Sequence, residues 1–287
     1  MNAFLIRICT AMVVVLCFIQ LGRTNEIPKD ETLFVFVSDP HIHLSPTEGG
    51  GGLRFDTVSD FQKCVSDVVA MNPRPQAVFI LGDLQHKGIS DEPYEKFREL
   101  LRPWDAAGVE YCLLLGNHDQ PGRFFRVFPE WREKTACPDA LIYAYESPQV
   151  DFLLFETTDY SNGWYGLIPP THELWYESQM KDRNKPVFLC GHHDWALMRT
   201  KPRLDNPAIQ GWICGHRHDF VTTNFDDIRE LRVPASGHSH VGYNGYLIMR
   251  VTNDAYVFTL KTYDPQNPHN GKIISLPKRE LPKPVAE

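Results

Sequence analysis

Two packed mixed β-sheets flanked by helices, an α/β fold, is the architecture that three features of this 287-residue sequence predict. Short apolar runs end repeatedly in clusters of polar residues. Amphipathic helical patterns separate the first of these runs. From Phe220 onward, strand-like stretches follow one another without helices between them.

The run at 33–37 leads into Ser38-Asp39, that at 77–81 into Gly82-Asp83, and that at 109–115 into Gly116-Asn117-His118-Asp119. Apart from Glu110 each is apolar throughout, the pattern of a strand buried on both faces that delivers polar side chains at its C-terminal end. Between them, residues 57–71 put Val58, Phe61, Val65, Val68 and Val69 on one helical face, and residues 92–101 do the same with Tyr94, Phe97, Leu100 and Leu101. Pro73 and Pro103 are expected to stop these helices. The β-α-β-α-β alternation makes this half a parallel sheet with covering helices.

Past Asp119 the pattern loosens into a loop-and-helix excursion over 121–138, followed by strands at 141–145 and 152–156. A helix at 171–181 has Thr171 as its expected cap and Glu173 in its first turn. Strands at 187–190 and 212–214 end at Gly191-His192-His193 and Gly215-His216-Arg217-His218. Stretches at 230–234, 246–251 and 256–263 predict a largely antiparallel second sheet, and the Pro-rich tail 276–287 a frayed end. No repeat or Ser/Gly-rich linker divides the chain, so one domain spans 25–275.

With 43% hydrophobic and 23% charged residues the composition is that of a globular protein. The net charge of -7 becomes -9 (27 basic against 36 acidic residues) without residues 1–24, which hold Arg7 and Arg23 and no acid. That balance argues against a duplex nucleic acid as partner, since binding by phosphate neutralisation needs a basic face. Residues 1–24 read as a secretory signal peptide: one cation before residue 8, then a stretch at 8–21 that is apolar apart from Thr10 and Gln20. Export to the periplasm or secretion is the expectation. The stretch is short against the ~20 residues of a membrane-spanning helix, and Gly22 and Thr24 are the only small residues near a cleavage point. An uncleaved membrane anchor over 8–21 and a buried N-terminal element are the other readings. Cys9 and Cys17 lie in that segment; of the remaining five, Cys112, Cys190 and Cys214 sit in strand-like runs, where thiols pack as small hydrophobes and form no disulfide framework, a Cys190–Cys214 bridge between neighbouring strands being the less favoured alternative.

The polar residues at the strand ends form the chemically informative set: Asp39, His41, Asp83, Asn117, His118, His192, His193, His216 and His218. Carboxylate, imidazole and amide oxygen together suit a divalent or trivalent transition metal such as Mn, Fe or Zn, and no Cys pattern points to a closed structural zinc site. Asp-x-His and His-x-His have strand spacing, so the pleat is expected to turn both members of each pair into one cavity. Glycines 82, 116, 191 and 215 precede these residues and leave room for close approach. One such element is weak; five in order at strand ends are strong.

Asp39-Pro40-His41, Gly82-Asp83, Gly116-Asn117-His118-Asp119, Gly191-His192-His193 and Gly215-His216-Arg217-His218 resemble the signature of the calcineurin-like metallophosphoesterase superfamily. The stretch 33–119 is most similar to its bacterial cyclic-nucleotide phosphodiesterase branch, and the resemblance runs over roughly 33–250. It implies a four-layer sandwich and two transition metal ions. One would be held by Asp39, His41, Asp83 and His218, the second by Asp83, Asn117, His192 and His216, with Asp83 bridging. It further implies attack on phosphorus by a metal-bridging hydroxide, with His118 stabilising the phosphoryl group or protonating the leaving oxygen. Asp119 would orient His118 or stabilise its loop. A small phosphodiester is the expected substrate, with phosphomonoesterase, nucleotidase or pyrophosphatase activity as the alternative and a non-catalytic scaffold as a further one.

His193 doubles the fourth motif, and His192 is preferred as the first residue after the strand. His86 stands where the purple acid phosphatase branch has a metal-binding tyrosine, and is either a site residue or an ordinary loop residue. Glycines 49–52 lack the Gly-Lys-Ser/Thr of a P-loop and read as a flexible segment near the pocket mouth. Trp164, Tyr165 and Trp195 either line the pocket or pack in the core, and core packing is the preferred expectation for each.

Overall fold

The computed structural model describes residues 32–48, 54–87, 89–225 and 228–281; the leader at 1–24 and the glycines 49–52 lie outside them. In chain order the elements are β1 (Thr32–Val37), β2 (Thr47–Glu48), β3 (Arg54–Phe55), α1 (Thr57–Ala70), β4 (Ala77–Leu81), α2 (Glu92–Ala107), β5 (Tyr111–Leu114) and α3 (Pro121–Val127). Then follow β6 (Tyr143–Tyr145), β7 (Asp151–Leu154), α4 (Pro170–Met180), β8 (Val187–Cys190), β9 (Ile209–Cys214), β10 (Val221–Phe225), β11 (Ile228–Arg232), β12 (Gly245–Val251), β13 (Ala255–Thr262) and β14 (Ile273–Pro277).

Two six-stranded mixed sheets result, ordered β14-β13-β12-β1-β4-β5 and β10-β11-β9-β8-β7-β6. β1, β4 and β5 run parallel, as do β7, β8, β9 and β11. The sheets meet on an aromatic seam: the Phe152 ring of the second lies 4.9 Å from Phe34 and 4.4 Å from Phe79 of the first. Such contacts contribute about 0.5–1.5 kcal/mol each beyond burial. Side chains alternate along each strand, so β8 gives Phe188 and Cys190 to the seam and Val187 and Leu189 to a second core, where they join Tyr176 and Met180 of α4.

α1 presents Phe61, Cys64, Val65 and Val68 to the core, and Asp56 caps it by accepting the Ser59 N–H at 3.1 Å. α2 does not stop at Pro103 but runs on to Ala107, ending at Gly108 with φ +68°. Tertiary packing outweighs the proline: Trp104, one residue on, is fully buried, lies 6.0 Å from the Phe61 ring and donates Nε1–H to the Val65 carbonyl at 3.0 Å. Thr171 is not the cap of α4. Pro170 takes the first helical position, for which its φ is preset, and the Pro169 carbonyl accepts the His172 and Glu173 N–H groups at 2.9 and 3.1 Å.

The strands after Phe220 do not form a sheet of their own. β11 joins β9 in parallel with β10 at its edge, while β12 returns to pair antiparallel with β1 and β13 and β14 extend that sheet. Nor is the start of the tail frayed. Leu276 is buried in β14, and Arg279 donates its N–H to Gln210 Oε1 at 2.8 Å, which ties 276–281 to β9.

Candidate metal centre

The C-terminal ends of β1, β4 and β5 from one sheet and of β8 and β9 from the other open onto one rim, the place where open α/β sheets bind ligands. The loops there are laced by backbone hydrogen bonds. Asp39 N–H donates to the Gly82 carbonyl at 3.2 Å, His41 N–H to Asp83 at 2.9 Å, and Gly215 N–H to His192 at 3.0 Å.

The pleat does not aim the side chains, contrary to the expectation from spacing. Asp39, His41, Asp83, His216 and His218 all lie beyond the strands, with φ of +49°, +44°, +53°, +66° and +59°. Left-handed backbone at non-glycine residues costs on the order of 1 kcal/mol or more each and concentrates at functional sites. Close approach explains the glycines. A Cβ on Gly116 would come within 2.8 Å of the His192 ring, and one on Gly82, itself at φ +92°, within 2.8 Å of His192 Nδ1.

Two groups of ligand atoms result. In the first, Asp39 Oδ1 lies 3.7 Å from His41 Nε2 and 3.2 Å from His218 Nε2, and these two nitrogens are 3.3 Å apart. In the second, Asn117 Oδ1 lies 3.1 Å from His192 Nε2 and 3.0 Å from His216 Nδ1, with the nitrogens again 3.3 Å apart. Asp83 Oδ2 joins them, 3.4 Å from His41 Nε2 and 3.3 Å from His192 Nε2. The first sheet supplies Asp39, His41, Asp83 and Asn117; the second supplies His192, His216 and His218.

The electrostatics suit cations. Burial opposes ionisation of Asp39 and Asp83, yet the surrounding imidazoles hold both carboxyls well below their usual range. His192 is buried, but the Asp83 and Asp39 charges lift it to about 10, whereas burial and its His192 and His193 neighbours push His216 down to about 2. Burial likewise drives His41 well below its ordinary value. His192 and His216 are thus pushed in opposite directions although their ring nitrogens lie 3.3 Å apart. Asp39 Oδ1 is buried and makes no hydrogen bond of good geometry, its near neighbours being the imidazole nitrogens of His218 at 3.2 Å and His41 at 3.7 Å. This oxygen and nitrogen set is what a borderline-to-hard metal ion takes.

Of the paired histidines, His192 faces the cluster, its Nδ1 set 2.8 Å from the Leu81 carbonyl so that Nε2 points inward. His193 is engaged at both ring nitrogens, by Thr157 Oγ1 at 2.9 Å and the Gly163 carbonyl at 3.0 Å. His118 lies beside the first group, its ring 4.7 Å from that of His41. Asp119 does not orient it. The His118 Nδ1 contacts the His86 carbonyl, while Asp119 Oδ2 accepts the Gly116 and Leu84 N–H groups at 2.9 and 3.1 Å and Oδ1 accepts the Tyr94 hydroxyl at 3.0 Å. Asp119 is a loop anchor, since its neighbours are backbone amides that need an acceptor. Asp119→Ala is expected to lower stability by about 3 kcal/mol through three stranded donors; an unchanged midpoint in urea unfolding would refute that role.

A cavity of about 450 Å³ covers the cluster. His86 lines it, with His41 and His118 close enough to share an ion. So do Trp164, the pocket-lining alternative for that aromatic, and His238, His240 and Arg217, none of which spacing singled out as site residues. Trp164 is 54% exposed, against the core packing preferred for it, whereas Trp195 is buried. A signal for the histidines was present: Gly237-His238-Ser239-His240 repeats the Gly-His-x-His of 215–218, but no apolar strand leads directly into it.

Residues 32–220 match the family model described as calcineurin-like phosphoesterase. The chain is 24% identical over 228 residues (72% of this chain, 78% of the relative) to the glycerophosphodiester phosphodiesterase GpdQ of Enterobacter lignolyticus. It is 25% identical over 224 residues (72% and 71%) to a probable cyclic nucleotide phosphodiesterase of Rhodococcus erythropolis. Among solved structures it resembles a dimetal phosphatase from Danio rerio (TM-score 0.66, 12% identity, 86% of this chain and 99% of that one). It also resembles the purple acid phosphatase PPD1 of yellow lupin (0.58, 12%, 85% and 53%). The matched region contains every strand end that feeds the cluster, and the chain belongs to the calcineurin-like phosphoesterase family of metal-dependent phosphoesterases.

Proposed function

We propose that the chain hydrolyses small phosphodiesters, holding one cation with Asp39, His41, Asp83 and His218 and a second with Asp83, Asn117, His192 and His216. The observation that carries this reading is the shared corner at Asp83 Oδ2, within 3.4 Å of a histidine of each group. A carboxylate oxygen between two ligand groups is what adjacent cations need against their mutual repulsion. When bound, such a pair makes water a nucleophile near neutral pH and offsets charge growing on phosphate oxygens.

The chain's own residues supply the rest. Asp39 is kept ionised by its histidine neighbours and cannot drift to a neutral state that would release a cation. The His86 carbonyl accepts Nδ1–H of His118, so Nε2 can give a proton to a departing alkoxide only from the imidazolium form of the ring, in which both nitrogens carry hydrogen. The names of the relatives, a glycerophosphodiester phosphodiesterase and a probable cyclic nucleotide phosphodiesterase, support a diester over a monoester.

With Mn supplied, bis-p-nitrophenyl phosphate is expected to be cleaved faster than p-nitrophenyl phosphate. A preference for the monoester overturns the diester assignment. Turnover of neither, with fewer than one transition metal per chain, would favour a binding scaffold. Export rests on the apolar stretch 8–21, and fractionation of expressing cells with an intact mass of the product tests both export and cleavage.

A further inference from the structure

Arg217 stands between His216 and His218 yet belongs to neither ligand group. Its Nε donates to Asp194 Oδ2. That carboxylate is 2% exposed and is itself fixed, since Oδ1 accepts the Leu197 N–H at 3.2 Å and caps the 3-10 turn Trp195–Leu197. The guanidinium lies 5.5 Å from the Trp164 ring, whose other neighbour is the His216 ring at 5.0 Å. Both side chains line the cavity above the metal centre.

A guanidinium tied to a buried carboxylate and laid on an indole has given up most of its rotamer freedom, so further bonds to a ligand cost little ordering. Its Nη1 and Nη2 have no hydrogen-bond partner among the described residues. Among the described residues that line the cavity, Arg217 alone carries a positive charge that pH does not remove. The histidines and carboxylates beneath are arranged for cations, and those cations would meet the charge of the reacting phosphate. The fixed charge of Arg217 is left over for something else.

We propose that Arg217, seated on Trp164 and Asp194, is a specificity residue that takes a second anionic group of the substrate, a phosphate, phosphonate or carboxylate on the substituent beyond the scissile phosphorus. The planar fork suits two parallel N–H···O bonds to such a group. This assignment rests on the phosphodiesterase reading above and narrows it from any small diester to one whose retained side is anionic.

The test is a matched pair of chromogenic diesters, ethyl p-nitrophenyl phosphate and 2-phosphonoethyl p-nitrophenyl phosphate, assayed with the Mn-loaded enzyme. The wild type is expected to favour the phosphonate at least about tenfold in kcat/KM, mostly through KM, as a charge-assisted pair allows. Arg217→Met should bring the ratio to within about threefold of unity, and Arg217→Lys, a point charge without the fork, should fall between. Trp164→Leu removes the seat while leaving every ligand residue unchanged and should lower the ratio by about threefold. A wild-type ratio near one, or a ratio that survives Arg217→Met, overturns the assignment. If the wild type cleaves neither ester, the diester reading fails; the same ratio, taken from inhibition of p-nitrophenyl phosphate hydrolysis by the two diesters, then decides the role of Arg217.

Discussion

Asp83→Asn is expected to remove turnover and bound transition metal together. The substitution deletes one charge and changes little else: Asn tolerates the left-handed backbone that residue 83 adopts at φ +53°, where Ala would add strain. What goes is the anionic corner between His41 Nε2 and His192 Nε2. Neither group then has enough negative charge, because Asp39 is the only other carboxylate in the cluster among the described residues. Loss of electrostatic stabilisation at both cations, each of the order of 10²-fold, predicts a fall in kcat/KM of roughly 10⁴-fold. Elemental analysis should find fewer than one metal per chain. A variant that keeps a full complement would end the bridging role, and a melting curve close to that of the metal-free wild type would show that the fold survives. Asp83→Ala should lose metal and rate in the same way.

His118→Ala should separate what Asp83→Asn merges. The side chain comes within ion-sharing distance of His41 and His86 but belongs to neither of the two groups joined at Asp83, and the backbone N–H of residue 118, which donates to Asp83 Oδ1 at 2.8 Å, remains in place. Metal content is therefore expected to match the wild type, while kcat falls by about 10²- to 10⁴-fold, the range for a lost proton donor. The leaving group provides a sharper test. A p-nitrophenolate leaves without a proton, whereas an alkoxide does not, so the loss should be larger for an alkyl ester. Normal turnover of an alkyl diester by His118→Ala would refute the assignment.

Much of this centre could be read from the chain because apolar strands buried on both faces leave a continuous signal. β4 and β8 occupy the residues 77–81 and 187–190 that the runs predicted, and the polar residue after each run is the one that enters the site. All seven expected metal ligands converge, and His192 rather than His193 turns inward. Their convergence does not come from the pleat. Spacing of two suggested a pleated strand, but Asp39, His41, His216 and His218 sit on left-handed turns, which no periodicity encodes.

Other errors share one cause, that a local pattern yielded to a distant partner. Pro103 stays inside α2 because Trp104 has a pocket beside Phe61 and an acceptor on Val65. The strands after Phe220 look alike in sequence, and only their partners, β9 for β11 and β1 for β12, divide them between two sheets. The Asp119 bonds to Gly116, Leu84 and Tyr94 depend on loops whose course the chain alone does not disclose. His238 lies twenty positions past His218 and reaches the cavity through the link between β11 and β12.

Each ligand group takes atoms from both sheets: His218 completes a set otherwise drawn from β1 and β4, and His192 and His216 complete one begun by Asp83 and Asn117. Ions seated there would act as rivets through the two halves of the protein, and the grip between those halves becomes a question of supply. By linkage, resistance to heat rises with the logarithm of free cation. Loss of those ions would remove the cross-links from the rim where the five strand ends meet, and a lower melting temperature after chelation is the expected consequence.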